Sequence, residues 1–452
     1  MMAALALPSL RHRTTSFTAS FVAVALSTLV IGAFGTVAAA GLGGVADADA
    51  EILLTMGAVI GGWGATIALF ALASTIGVSV RRRRVEIGLL RSIGATPGQV
   101  RRLVIVETLV VAVVAAAAGA GLAWPAGRVL LDAIRDAGMV SPTVAPAYQW
   151  AGIPISAALV IAVSVIAAAL AARRPTGGAP RLALTEEATP AGRLRRWRTV
   201  PGWALLGAAV ASGVVTVTVM ADLDDPYAPM QSSGSASVAA GVGLALLAPA
   251  LLARVARSAR GPLARAGAPG ELASATTARR SLLMSGILGP IVVLVSVGVG
   301  TLALVGIDAR TLVLPPEMTQ KDADLITTLN AVVVGMIAAF AAIMVVNSLL
   351  AVIGERAAEF ARLRLVGATT GQLRRTVLVE TLLVSVLGVA LGLVGALTTI
   401  VPFGWARGEG IVPDAQLWMA PAMAAFGIVL AVLAGQVACG RALRDGTRAL
   451  QI

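Results

Sequence analysis

Apolar runs of about 20 residues, the length that crosses a bilayer as a helix, follow one another along almost the whole chain. Short segments bearing charges, Gly or Pro separate them. Ten such runs stand at 17–40, 53–80, 103–124, 153–172, 202–220, 235–255, 283–307, 327–353, 377–402 and 419–439. Water cannot satisfy backbone groups in the hydrocarbon, so each run predicts a continuous helix. The expected fold is an all-α polytopic membrane protein of about ten transmembrane helices. The first run exceeds the ~7–15 apolar residues of a signal peptide, and it has a counterpart in the second half of the chain. It predicts a retained span.

Composition agrees: 58% of the 452 residues are hydrophobic and only 13% charged. A soluble chain carries about 25% charged residues. The net charge of +12 invites a nucleic-acid reading, but topology accounts for it. With the N-terminus inside, the outer loops 41–52, 125–152, 221–234, 308–326 and 403–418 hold 5 basic and 14 acidic residues. The inner segments hold the other 30 basic residues against 9 acids. That is the positive-inside pattern, so cytoplasmic termini and anionic lipid headgroups are expected, and no nucleic acid. One Cys and one His exclude a disulfide framework and a Cys/His zinc site within one chain.

Self-comparison adds a duplication. Residues 83–113 align without gaps on 356–386 at an offset of 273, with 18 of 31 positions identical. Six spans separate the copies, so both face the same side and the repeat is parallel. The implied plan is 4 + 2 + 4. Residues 1–172 form a first four-helix unit and 173–200 a basic cytoplasmic linker. Residues 201–256 are two inserted helices, 257–282 a cytoplasmic connector with a short interfacial helix, and 283–452 a second four-helix unit.

Each repeated stretch reads as a cytoplasmic extension of one span, a turn, and a helix that feeds the next span. Gly94 and Gly367 suit the positive φ that ends a helix. Thr96 with Gln99, and Thr369 with Gln372, fit capping boxes for the helices that follow. Each copy is thus a rigid elbow at the membrane surface.

The pattern Glu-x-x-x-Leu-Arg-x-x-Gly-Ala-Thr-x-x-Gln, running into an apolar span with an early Glu, resembles the FtsX-like permease family. It stands as Glu86, Leu90, Arg91, Gly94, Ala95, Thr96, Gln99, Arg102 and Glu107. It recurs as Glu359, Leu363, Arg364, Gly367, Ala368, Thr369, Gln372, Arg375 and Glu380. Two such units in one ten-span chain look like the bacitracin- and lantibiotic-resistance permeases. The resemblance implies a non-catalytic permease of an ABC transporter in a bacterial plasma (inner) membrane. Its energy would come from a separate cytoplasmic ATPase, two copies per chain, that binds the ATP and Mg; no cofactor is expected in this chain. The elbow residues would contact that ATPase. The substrate class it implies is amphipathic or hydrophobic: a peptide antibiotic, lipid or lipoprotein, exported or released from the membrane.

The chain carries no Gly-x-x-x-x-Gly-Lys-[Ser/Thr] loop, and its single Lys, Lys321, lies in an outer loop. The outer loops 41–52 and 308–326 are too short for the extracellular domains of the resistance permeases and their relatives. Substrate would therefore meet the spans, the outer leaflet or an extracytoplasmic partner. A non-transporting scaffold that controls an outside enzyme or a membrane kinase is the second reading, and an ion-coupled carrier the third. The third lacks an intramembrane charge outside the interfacial Glu107 and Glu380. For those two carboxylates, ion pairs with Arg83 or Arg91, and with Arg356 or Arg364, are expected. The arginine run 81–84 reads as a stop-transfer and orientation cluster, with docking of the ATPase or of anionic lipid as the alternative. Asn330, Asn347 and Gln436 read as interhelical hydrogen-bonding residues.

Overall fold

The apolar runs emerge as helices. The computed structural model describes residues 14–177, 196–223, 228–311, 335–354 and 356–449, apart from positions 83, 137, 139, 143, 145–149, 266, 336, 337, 340, 341, 351, 412 and 414–417. In the first half stand α1 (Thr14–Gly41), α2 (Asp47–Thr55), a π-turn (Met56–Ile60), α3 (Gly61–Arg82), α4 (Arg84–Ser92), α5 (Pro97–Asp136) and α6 (Gly152–Gly177). Then come α7 (Arg196–Thr218), α8 (Ala228–Ser258), α9 (Arg260–Ala264), α10 (Ala268–Arg279) and α11 (Ser281–Thr311). The chain continues with α12 (Ala342–Gly354), α13 (Ala357–Leu365), α14 (Thr370–Ala406) and α15 (Met419–Ala449).

Eight of these helices are long and apolar enough to cross a membrane: α1, α5, α6, α7, α8, α11, α14 and α15. The fold is all-α and polytopic. The second expected span is α3, reached from α2 through the π-turn. The eighth is described chiefly as α12; Asn330 at the start of that run, and Lys321 before it, lie outside the described residues. The connector holds two short helices, α9 and α10.

The chain divides into two compact units, Met1–Glu187 with Val313–Phe340 and Ala188–Leu312 with Ala341–Ile452. In the first unit α1 lies along α5, α6 packs on both of them, and α3 packs on α1 and α6. Lipid tails are as apolar as Leu, so close helix contact comes from small residues that let backbones approach. Gly119 and Gly127 of α5 sit against the carbonyls of Ala25 and Ala33 on α1. Gly152 of α6 meets Gly35 backbone to backbone, and the Ser156 hydroxyl donates to the Ile31 carbonyl at 3.1 Å.

The second unit repeats this seam. Gly388, Gly392 and Gly395 of α14 receive Ile291, Val295 and Ser296 of α11. Gly119 and Gly392 are matched positions of the duplication, and both are buried at the seam. At the C-terminal end of α11 Arg407 pairs with Asp308, and Arg310 with Glu409 at 3.3 Å.

The inserted pair belongs to this second unit. Helix α8 packs on α7, α11 and α14. The Thr399 hydroxyl accepts the Ser237 amide at 3.0 Å and donates to the Ser233 carbonyl at 2.6 Å, while Ser296 donates to the Ser237 carbonyl at 2.8 Å. The matched face of α5 carries Leu122 and Ala126 where α14 has Gly395 and Thr399. Leu122 is 60% exposed and Gly395 buried. A bulky apolar side chain suits lipid there; a glycine and a hydroxyl suit a covering helix.

Candidate functional site

The two elbows have the same backbone down to single hydrogen bonds. In the first, α4 ends where the Ala95 amide donates to the Leu90 carbonyl at 3.0 Å and Gly94 to Arg91 at 3.2 Å. In the second, α13 ends with Ala368 donating to Leu363 and Gly367 to Arg364, both at 3.0 Å. This is a Schellman closure, which requires a left-handed residue; Gly94 has φ 101° and Gly367 φ 100°. The next helix starts at once. The Thr96 amide donates to Gln99 Oε1 at 2.9 Å and the Gln99 amide to Thr96 Oγ1 at 3.3 Å. Thr369 and Gln372 repeat the box at 2.9 and 3.2 Å. Both turns and both boxes are those expected from the sequence. A lost cap costs about 1 kcal/mol. Thr369→Ala is therefore expected to raise hydrogen exchange of the first α14 amides about five-fold, with little change in folded yield.

The site residues divide by environment. Gly94, Thr96, Gln99, Arg102, Arg364, Gly367, Thr369, Gln372 and Arg375 are exposed. Glu86, Leu90, Arg91, Ala95, Glu359, Leu363 and Ala368 are half-buried. Leu363 and Ala368 lean on the core of the second unit, beside buried Phe360. Ile87, matched to Phe360, is buried too. One apolar position turns outward in both copies. Ile93 is 81% exposed and its counterpart Val366 87%. Each stands immediately before the left-handed glycine, at the tip of the turn. The sequence did carry a signal for them: an apolar residue kept at the same place in both copies of an otherwise polar turn.

The interfacial carboxylates are buried, Glu107 in the first unit and Glu380 in the second. Glu380 pairs with Arg356, each 3% exposed. Arg356 also reaches Glu359 at 3.3 Å, and Glu359 takes Arg280 at 3.0 Å. The guanidinium of Arg356 lies 4.9 Å from the centre of the Phe360 ring. Burial by itself would lower the Arg356 pKa; the charges of Glu380 and then Glu359 outweigh it and raise the pKa above the ordinary value. Of the two expected partners of Glu380, Arg356 is the one engaged, while Arg364 is exposed on the outer face of α13. In the first unit Arg83, and the side chains of the run 81–84, lie outside the described residues.

A second surface feature of this unit is an open groove of about 470 Å³ between α7 and α14, lined by Val210, Val214, Leu397, Val401 and Trp405 among others. None of the described residues that line it is charged. Gln436 donates to the Arg374 carbonyl at 3.3 Å, tying the last helix to the start of α14.

A family profile described as FtsX-like permease C-terminal matches residues 58–180 and again 331–446. Together these cover more than half of the 452 residues, and each match contains one elbow with its flanking spans. The chain belongs to the FtsX-like permease family. Membership brings an ABC transporter permease type of function, carried out by a multi-pass membrane subunit. Permeases of this family are typically non-catalytic and generally pair with ABC ATPase subunits. Comparison with curated proteins finds no match.

Proposed function

We propose that this FtsX-like permease couples a separate cytoplasmic ABC ATPase to the export or membrane release of an amphipathic or hydrophobic substrate. It would do so in a bacterial inner membrane with both termini in the cytoplasm. The observation that carries the reading is the duplicated elbow with its outward apolar tip. An isoleucine and a valine held almost fully in water on a rigid turn gain by burial, about 1.5–3 kcal/mol per side chain. The surrounding Arg, Thr and Gln residues supply a polar rim of the kind that surrounds an interface core. Two matched tips on one chain suit two copies of one ATPase, each contributing a cleft.

The positive-inside arithmetic supports the orientation, and the short outer loops favour a substrate that meets the spans from the lipid. Binding and hydrolysing ATP with Mg would fall to the partner, whose closure would move the elbows and, through α5 and α14, the glycine seams behind them.

Ile93→Asp together with Val366→Asp is expected to lower co-purification of the ATPase, and stimulation of its turnover, at least ten-fold. Interface anchors lose that much per about 1.4 kcal/mol. The permease itself should stay folded, because both side chains already face water. ATPase binding and turnover equal to wild type would sink the assignment. Coupled ATPase activity with no substrate movement in vesicles would mark a signalling scaffold instead.

A further inference from the structure

Arg280 lies outside the duplicated stretch, at the break where α10 ends and α11 begins. Its guanidinium bridges to Glu359 on the elbow helix α13 at 3.0 Å. Glu359 leads to Arg356, and Arg356 to Glu380 on α14. Four charges of alternating sign thus connect the start of one spanning helix, the elbow and the inner end of another. The chain is graded in burial. Arg356 and Glu380 are 3% exposed, whereas the Arg280 and Glu359 side chains are 29% and 32% exposed.

That gradient decides which link opens under load. Separating the inner pair strands charges in a low-dielectric place, which is expensive. The outer pair can exchange its partner for water, and half-exposed ion pairs are weak and screened by salt. The elbow helix also has a buried underside. Phe360 of α13 and Cys439 of α15 lie in one apolar cluster, Cys439 fully buried beneath the packed helices. Helix α13 packs on α15, so if α13 lifts when the Arg280 bridge opens, that face of the cluster is uncovered.

We infer that Arg280 is a positioning residue: its bridge to Glu359 latches the second elbow to the start of α11, and it opens while Arg356–Glu380 holds. The latch is a property of the permease alone. Its use in coupling rests on the ATPase reading above, and the two are tested separately.

Cys439, the sole cysteine of the chain, reports the latch without any engineered probe. The full chain in lipid nanodiscs is treated with a water-soluble polyethylene-glycol maleimide, and the rate of the gel shift is followed. Arg280→Gln is expected to speed labelling at least five-fold, while Arg280→Lys, which keeps the charge, stays within two-fold of wild type. Wild-type labelling is expected to quicken as NaCl rises from low to high concentration, and Arg280→Gln labelling to ignore salt. Labelling of Arg280→Gln at the wild-type rate overturns the latch. So does labelling of Arg280→Lys as fast as Arg280→Gln, since only packing would then be at stake. A permease that passes these tests yet stimulates no ATPase keeps the latch and loses the coupling reading.

Discussion

Glu380→Ala is expected to be the most damaging single substitution at the elbow, lowering stability by about 3–5 kcal/mol. The carboxylate it removes is buried against Arg356, which is equally inaccessible. A guanidinium does not shed its proton in a protein, so the change leaves a fixed charge without its nearest counter-ion. Glu359 remains to Arg356, but at 3.3 Å and half in solvent. Replacing both partners, Arg356→Met with Glu380→Leu, removes the charges together and should recover most of the loss, since apolar pairs of similar volume often replace buried ion pairs without penalty. The measurement is the temperature at which half of the monodisperse detergent-solubilised protein is lost. A Glu380→Ala midpoint equal to wild type would show that the pair is not held in the buried state described here. A double variant no better than the single would show that the site needs the charges themselves.

The elbows were legible in the sequence because their determinants are local and occur twice. A glycine that must be left-handed and a Thr three residues before a Gln specify geometry within one turn, and duplication makes chance agreement remote. Choosing Arg356 over Arg364 as the partner of Glu380 needed the helix itself. Arg356 and Glu359 are three apart and share a face, while Arg364, five beyond Glu359, turns to the opposite side. Arg280 was invisible for a different reason. It is 79 positions from Glu359, outside the repeat, in a connector that carries four other arginines. Periodicity also could not say where the inserted pair docks. Only the contrast between Leu122 and Gly395 at matched positions hints that one copy has a covered face and the other does not.

The glycine seams provide the second large effect, and a sharp internal control. A Cβ added to Gly119 would stand 2.3 Å from the Ala25 carbonyl oxygen, a backbone atom that cannot swing aside. At the matched Gly392 it would stand 2.6 Å from Val295 Cβ and 3.0 Å from the Val292 carbonyl. Either helix pair must separate to admit a side chain, and the separation forfeits contacts along several turns. Overpacking of a tight interior costs about 1–3 kcal/mol for small additions and more for large ones. Gly119→Leu and Gly392→Leu should therefore abolish the monodisperse folded species, and Gly119→Ala should lower its midpoint clearly. Two residues along the same helix, Gly121 has nothing within 4 Å of the added atom. There alanine should be neutral or stabilising by about 0.5–1 kcal/mol, because a mid-helix glycine carries only its entropic cost. If Gly119→Ala and Gly121→Ala shift the midpoint alike, in either direction, then α1 and α5 do not meet at the seam described and the matched seam of α11 and α14 loses its support. Opposite signs two residues apart require a backbone contact on one face of α5 and lipid or open space on the other.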